Sequence, residues 1–173
     1  MKRLLIVVDM QNDFITGSLG TPEAQAIVPN VKAKIEEYKA NGDDIIFTRD
    51  THSVDYLESQ EGKRLPVKHC IKGTWGWIIA DEVNYPEYYC IDKHNFGYDC
   101  WDSWISEDRI YQIELVGLVS DICVISNALV LKAKFPEIFM VVDANCCAGT
   151  TPEKHVAALE IMKSCQIAVI GEY

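Results

Sequence analysis

The chain alternates short, β-branched apolar runs with segments of helical period from one end to the other, and this limits its fold more than any other feature. Residues 4–9, 44–48, 88–92, 110–118, 138–142 and 167–170 read as strands. The first of them is apolar without the period-2 alternation of a half-exposed strand, which marks burial on both faces. Between the first two strands, Val28, Val31, Ile35 and Tyr38 fall at helical spacing over residues 28–40, with Pro29 suited to a first turn and Gly42 to an end. A short helix is expected over 77–83, a longer one over 123–131, and a last one running to about Ser164, capped by Thr150 or Thr151 with Pro152 and Glu153 in its first turn. Strand and helix in strict succession predict the α/β class: a parallel sheet covered by helices on both faces. At 173 residues, with no linker, repeat or low-complexity tract, the chain is expected to form one domain spanning 1–173.

Charge and cysteine usage narrow the function classes. The net charge is −10 and no basic tract stands out, so binding to nucleic acid or to an anionic membrane is disfavoured. Met1-Lys2-Arg3 followed by residues 4–8 imitates the start of a secretory signal, but Asp9 ends the apolar run too early. No stretch approaches membrane-spanning length. Seven cysteines, an odd number, point to free thiols in a reducing cytoplasm.

The reactive side chains then fall in a pattern. Asp9 follows the first strand, Asp50 and His52 the second, Lys93 the third and Cys123 the fourth. All lie at carboxyl ends of strands, the edge where open α/β sheets place their ligand crevice. Ser120 and Asp121 offer N-cap chemistry, which puts Cys123 in the first turn of a helix, where amide N–H groups and the helix dipole favour a thiolate and can hold an oxyanion. That stretch alone suits a buried structural cysteine better. Joined with a carboxylate to take the thiol proton and an ammonium to keep that carboxylate ionised, it reads as a catalytic set of Asp9, Lys93 and Cys123. A second group is Asp50, His52, Glu61 and His69. Asp50 and His52 share one face of an extended segment, and the polar loop over 53–73 returns the other two. Mixed imidazole and carboxylate donors suit zinc, iron or manganese. Glu58 is an alternative to Glu61, and Cys70 is a weaker candidate; His94 and His155 are assigned ordinary structural roles. Trp75, Trp77, Trp101 and Trp104 flank the third strand as core or pocket wall.

Taken together, Asp9-Met10-Gln11-Asn12-Asp13-Phe14, Arg49-Asp50-Thr51-His52, His69-Cys70-Ile71-Lys72-Gly73-Thr74, Lys93 and the run from Gly117 to Val124 resemble the isochorismatase-like cysteine hydrolases, and within them the nicotinamidases. The resemblance covers nearly the whole chain. It implies a Rossmann-like three-layer αβα fold with a six-stranded parallel sheet. It implies an Asp9–Lys93–Cys123 triad, a cis peptide at Leu118–Val119, and an oxyanion hole formed by the Val119 and Cys123 N–H groups. It implies a divalent transition metal, zinc foremost, on Asp50, His52 and His69, with Glu61 in place of the second loop histidine that many members supply. Phe14, Leu118 and Val119 would line the substrate pocket. The expected activity is hydrolysis of a small amide, nicotinamide to nicotinate and ammonia, by way of a Cys123 thioester; the alternative is a related hydrolase acting on another small amide or carbamoyl compound. A small-molecule substrate and a cytoplasmic homo-oligomer are expected. Three departures from the family pattern, Thr51, Leu65-Pro66 and Val119-Ser120, fall on the metal loop and the pocket wall and bear on the choice of substrate.

Overall fold

The computed structural model describes all residues, 1–173. Six strands form one parallel sheet: β1 (Lys2–Val8), β2 (Asp44–Asp50), β3 (Tyr89–Lys93), β4 (Ile110–Leu118), β5 (Phe139–Ala148) and β6 (Ala168–Ile170), in the spatial order β3-β2-β1-β4-β5-β6. Every pairing is parallel. β1 contributes an unbroken buried run, Leu4 to Val8, because both faces of its sheet are covered. The order steps outward from β1 through β2 to β3, then returns to β4 and steps the other way. The carboxyl ends of β1 and β4 therefore flank the reversal point, where the two connections diverge and leave a crevice.

Five helices accompany the sheet: α1 (Asn12–Ile15), α2 (Pro22–Asn41), α3 (Gln60–Arg64), α4 (Ile125–Lys134) and α5 (Pro152–Ser164). On one face, Ile27, Val31, Ile35 and Tyr38 of α2 pack on Leu5, Val7, Ile45, Phe47, Val116 and Leu118. On the other, Ala128 and Leu131 of α4 and Ala158, Leu159 and Met162 of α5 pack on Leu4, Ile6, Val8, Ile113, Leu115 and Val142. Alternate residues of β1 and β4 go to opposite cores, as the pleat requires.

The structure corrects several boundaries. α2 begins at Pro22, capped by the Thr21 hydroxyl accepting from Ala24 N–H at 3.0 Å, so Pro29 lies inside the helix rather than in its first turn. Its Ala24 and Ile27 are buried with Val31, Ile35 and Tyr38, carrying the apolar stripe one turn before Val28. β5 runs to Ala148, six residues past its expected end, because the chain re-pairs with β4 after an irregularity, Gly117 with Cys147 and Leu118 with Ala148. The expected helix over 77–83 is two 3₁₀ turns, Trp75–Trp77 and Asp81–Val83. The helix expected over 123–131 is a π turn, Ser120–Val124, that continues into α4.

Candidate active site

Asp9 is the first residue past β1 and has a left-handed φ of 48°, uncommon for a side chain with a Cβ. Its N–H and its side chain both engage Thr48 of the neighbouring strand: Asp9 N–H donates to the Thr48 carbonyl at 3.2 Å, and the Thr48 hydroxyl donates to Asp9 Oδ1 at 2.7 Å. Lys93 ends β3 and reaches across β2, placing Nζ 2.6 Å from Asp9 Oδ2, 3.4 Å from Cys123 Sγ and 3.6 Å from Asp50 Oδ1. The Asn95 carbonyl accepts from the same ammonium at 3.3 Å. Cys123 comes from the turn after β4, and its sulfur meets the same Lys93 ammonium that holds Asp9. The structure thus brings Asp9, Lys93 and Cys123 together at the reversal point of the sheet. They are 0 %, 1 % and 4 % exposed.

Burial sets the electrostatics of this trio. It raises the Asp9 carboxyl above its ordinary value, with Lys93 pulling the other way. It works to discharge Lys93, but Asp9, Cys123 and Asp50 outweigh it and hold the ammonium above the usual lysine range. It pushes the Cys123 thiol well above the usual value, and the Asp9 charge adds to the rise. At this π turn, burial and the neighbouring Asp9 charge work against the thiolate that a helix N-terminus favours. Ser120 and Asp121 do not cap that turn either. The Ser120 hydroxyl pairs with His155 Nδ1 at 2.8 Å, and Asp121 accepts from Thr150 N–H at 2.7 Å and from its hydroxyl at 2.6 Å, so both residues pin the turn to the start of α5. The Leu118–Val119 peptide is cis.

The second group assembles next to the first. Ligand atoms of Asp50, His52, Glu61 and His69 lie within 4.8 Å of one another. His52 Nε2 is 2.9 Å from Asp50 Oδ2 and 3.6 Å from Glu61 Oε1; His69 Nε2 is 3.5 Å from Asp50 Oδ2 and 3.7 Å from Glu61 Oε1. A tetrahedral metal with bonds of about 2.0–2.2 Å spaces its donors about 3.3–3.6 Å apart. Three of these four distances are close to that spacing, and the fourth opens by a few tenths of an ångström. His69 Nδ1 must donate to the Val67 carbonyl, 2.8 Å away, which leaves the Nε2 lone pair facing the cluster. Although burial opposes it, the neighbouring His52 and His69 rings, with the Lys93 charge, hold the Asp50 carboxyl well below the usual carboxylate range. The donor set fits a divalent metal. Glu58 and Cys70 lie outside it. Cys70 instead adopts a left-handed φ of 47°, its N–H donating to Asp13 Oδ2 at 2.8 Å and its carbonyl accepting from His52 N–H at 2.9 Å, and so it sets the height of His69.

Phe14 is buried, with its ring 5.6 Å from that of His69. Leu118 and Val119 precede the Cys123 turn. Trp101 is wholly buried, whereas Trp75 is 60 % exposed, and the Trp77 ring lies 3.7 Å beneath the Arg49 guanidinium. A surface cavity of about 200 Å³ lined by Phe47, Arg49, Tyr85, Tyr88 and Cys90 shares no residue with either reactive group.

Three further residues hold the site and were not singled out from sequence. Thr48 orients Asp9, as described above. Gln11 is wholly buried; its Nε2 donates to the Asp50 and Trp77 carbonyls, both at 2.9 Å, and its Oε1 accepts from Asp50 N–H at 2.7 Å. Tyr56 wedges between the two imidazoles, 4.6 Å from the His52 ring and 4.9 Å from the His69 ring, with its hydroxyl donating to the Leu65 carbonyl. Thr48 carried a signal, as the lone hydroxyl in an apolar strand, and Gln11 another, as a member of the Asp9–Phe14 motif. Tyr56 carried none.

Comparison with known proteins bears on the family and the fold. The fold is shared by nicotinamidase PncA of Bacillus subtilis, with a TM-score of 0.85 at 27 % identity over 99 % of this chain and all of the other. It is shared by a pyrazinamidase of Pyrococcus horikoshii solved in complex with zinc, at 0.83 and 29 % over 99 % of this chain and all of that one. The N-carbamoylsarcosine amidase of Thermoplasma acidophilum aligns at 0.83 and 28 % over 98 % of this chain and 95 % of its own. The isochorismatase domain model matches residues 3–172, nearly the entire length, so the protein belongs to the isochorismatase-domain family.

Proposed function

We propose that this protein is a cysteine-dependent hydrolase of a small carboxamide, with nicotinamide as the substrate and nicotinate and ammonia as products. The observation that carries the reading is the convergence of Asp9, Lys93 and Cys123 at the sheet reversal. A buried carboxylate whose affinity for protons is raised is suited to take one from a neighbouring thiol. Asp9 removes the Cys123 proton as the sulfur attacks the carboxamide carbon. The Val119 and Cys123 N–H groups receive the oxyanion. Asp9 passes the proton to the departing nitrogen, ammonia leaves, and a Cys123 thioester remains. Water deprotonated by Asp9 attacks the thioester carbon, the acid leaves, and the proton returns to sulfur. Lys93 keeps the negative charge shared between Asp9 and the sulfur tolerable without solvent.

Asp50, His52, Glu61 and His69 would hold the divalent metal, with zinc the identity the donor set and the zinc-bound relative favour. When bound, it supplies a Lewis-acid anchor for a ring nitrogen, orienting the substrate rather than attacking it. Phe14, its ring tilted against that of His69, gives the ring an apolar wall. The Cys123→Ala variant is expected to release no ammonia from nicotinamide above the uncatalysed rate; turnover equal to that of the unaltered protein refutes the reading. The second reading, a carbamoyl-compound hydrolase, draws on the similarity to the N-carbamoylsarcosine amidase. An amide panel assayed with and without chelator separates the two: metal-dependent turnover of pyridine carboxamides favours the first, metal-independent turnover of carbamoyl compounds the second.

A further inference from the structure

Asn127 stands in the first turn of α4, four residues after Cys123, with no solvent exposure, and no step above uses it. Its side chain is fully engaged. Nδ2 donates to the Cys123 carbonyl at 2.8 Å and to the Phe96 carbonyl at 3.1 Å; Oδ1 accepts from Tyr98 N–H at 2.9 Å. A buried amide satisfied on both ends has one orientation, and it fixes whatever it is bonded to.

It is bonded to the Cys123 turn and to the strip that follows Lys93. One is the Cys123 turn, wound as a π turn with Val124 N–H on the Val119 carbonyl and Ile125 N–H on the Ser120 carbonyl; the Asn127 side chain grips the main chain of the Cys123 residue itself. The other is the strip that continues from Lys93. Its Asn95 carbonyl accepts from Lys93 Nζ, and its Gly97 packs on α4, where a Cβ would be in ordinary contact, 3.4 Å, with the Ser126 carbonyl oxygen. Asn127 is the polar pin between the two. We propose that Asn127 is a positioning residue, which holds the Cys123 turn and the 95–98 strip in register and thereby keeps Lys93 Nζ in contact with Cys123 Sγ. This rests on the reading of Cys123 as the nucleophile, but its test does not need the substrate to be known.

The test compares Asn127→Leu, which fills the space and makes none of the three bonds, with Asn127→Ser, whose hydroxyl can reach back to the carbonyl four residues earlier but not to the strip. Iodoacetamide labelling of Cys123 is followed by peptide mass spectrometry, with the exposed Cys90 and Cys100 as internal references. kcat and KM for amide hydrolysis and the thermal midpoint are measured alongside. In the leucine variant, labelling of Cys123 and kcat are expected to fall about 10- to 100-fold with KM little changed, a loss typical of small misplacement of a reacting group. The serine variant is expected to recover part of that loss. Cys123 labelled at the unaltered rate or faster in both variants, with kcat intact and only the midpoint lowered, overturns the proposal and leaves Asn127 a packing residue. If the leucine variant does not fold, labelling and kcat at unaltered rates in a folded serine variant overturn it as well. An unaltered protein that hydrolyses no amide refutes the proposed activity, while the labelling comparison still decides the role of Asn127.

Discussion

At the scale of single residues, the site depends on a charged cluster that water cannot relieve. Lys93 and Asp9 form an ion pair in the interior, where desolvation is costly and removal of one partner strands the other. Thr48 is the neutral member of that cluster. Its hydroxyl stabilises the ionised form of Asp9, so losing it raises the Asp9 pKa further. A base with a higher pKa becomes protonated at higher pH. The acid limb of kcat/KM is therefore expected to lie above the ordinary carboxylate range in the unaltered enzyme and to move to still higher pH in Thr48→Val, with kcat/KM about tenfold lower at neutral pH. A pH–rate profile checks this; an acid limb that stays in place shows that Thr48 does not act through Asp9. Asp9, Lys93 and Cys123 were legible as residue types at strand ends. Their proton affinities were not, because the depth of burial that raises those of Asp9 and Cys123 is seen only in three dimensions.

At the scale of elements, the active edge is held by close backbone approaches and by the start of α5. Gly117 in β4 has φ 115°, and a Cβ there would lie 2.1 Å from the Val8 carbonyl oxygen, immediately before Asp9. Gly117→Ala is expected to cost about 3 kcal/mol or more, measured as a fall in the urea midpoint, because both the φ and the contact oppose it. On α5, His155 is half-buried against Ser120, and burial lowers its pKa from 6.5, against the pull of Asp121. The unfolded chain therefore binds the proton more readily than the folded one, and stability falls as pH drops below about 6.5 toward the folded value. The urea midpoint is expected to fall less between pH 7.5 and 5 in His155→Gln than in the unaltered protein; an equal fall dissociates His155 from the effect. The strand and helix sequence along the chain was readable because period and breakers are local. The π turn, the split 3₁₀ segment and the extension of β5 were not, since each is settled by what the segment pairs with.

At the scale of the whole molecule, the sheet reversal gathers residues from β1, β2, β3, the turn after β4 and two loops into one interior edge, with the metal donors beside the reactive trio. Chelator-stripped protein is expected to gain about 2.7 kcal/mol from zinc at a hundredfold excess over its Kd, a rise of roughly 5–10 °C in the thermal midpoint. Glu61→Gln is expected to reduce both the gain and the bound metal measured by elemental analysis, and Glu58→Gln to leave them unchanged; the reverse result exchanges the two residues. No helix is long and apolar enough to cross a membrane. The chain's sequence by itself determined the α/β class, the placing of reactive groups at strand ends and the chemical kinds of donor, because periodicity and residue type are properties of neighbours in the chain. Tertiary structure alone decided that Glu61 rather than Glu58 sits with Asp50, His52 and His69, that burial raises the proton affinity of the sulfur, and that Thr48, Gln11, Tyr56 and Asn127 bond to or pack against these groups. The separations of pairs such as Asp9 and Thr48 or Lys93 and Cys123, 39 and 30 positions apart in the chain, and the dielectric around them, exist only once the sheet has closed.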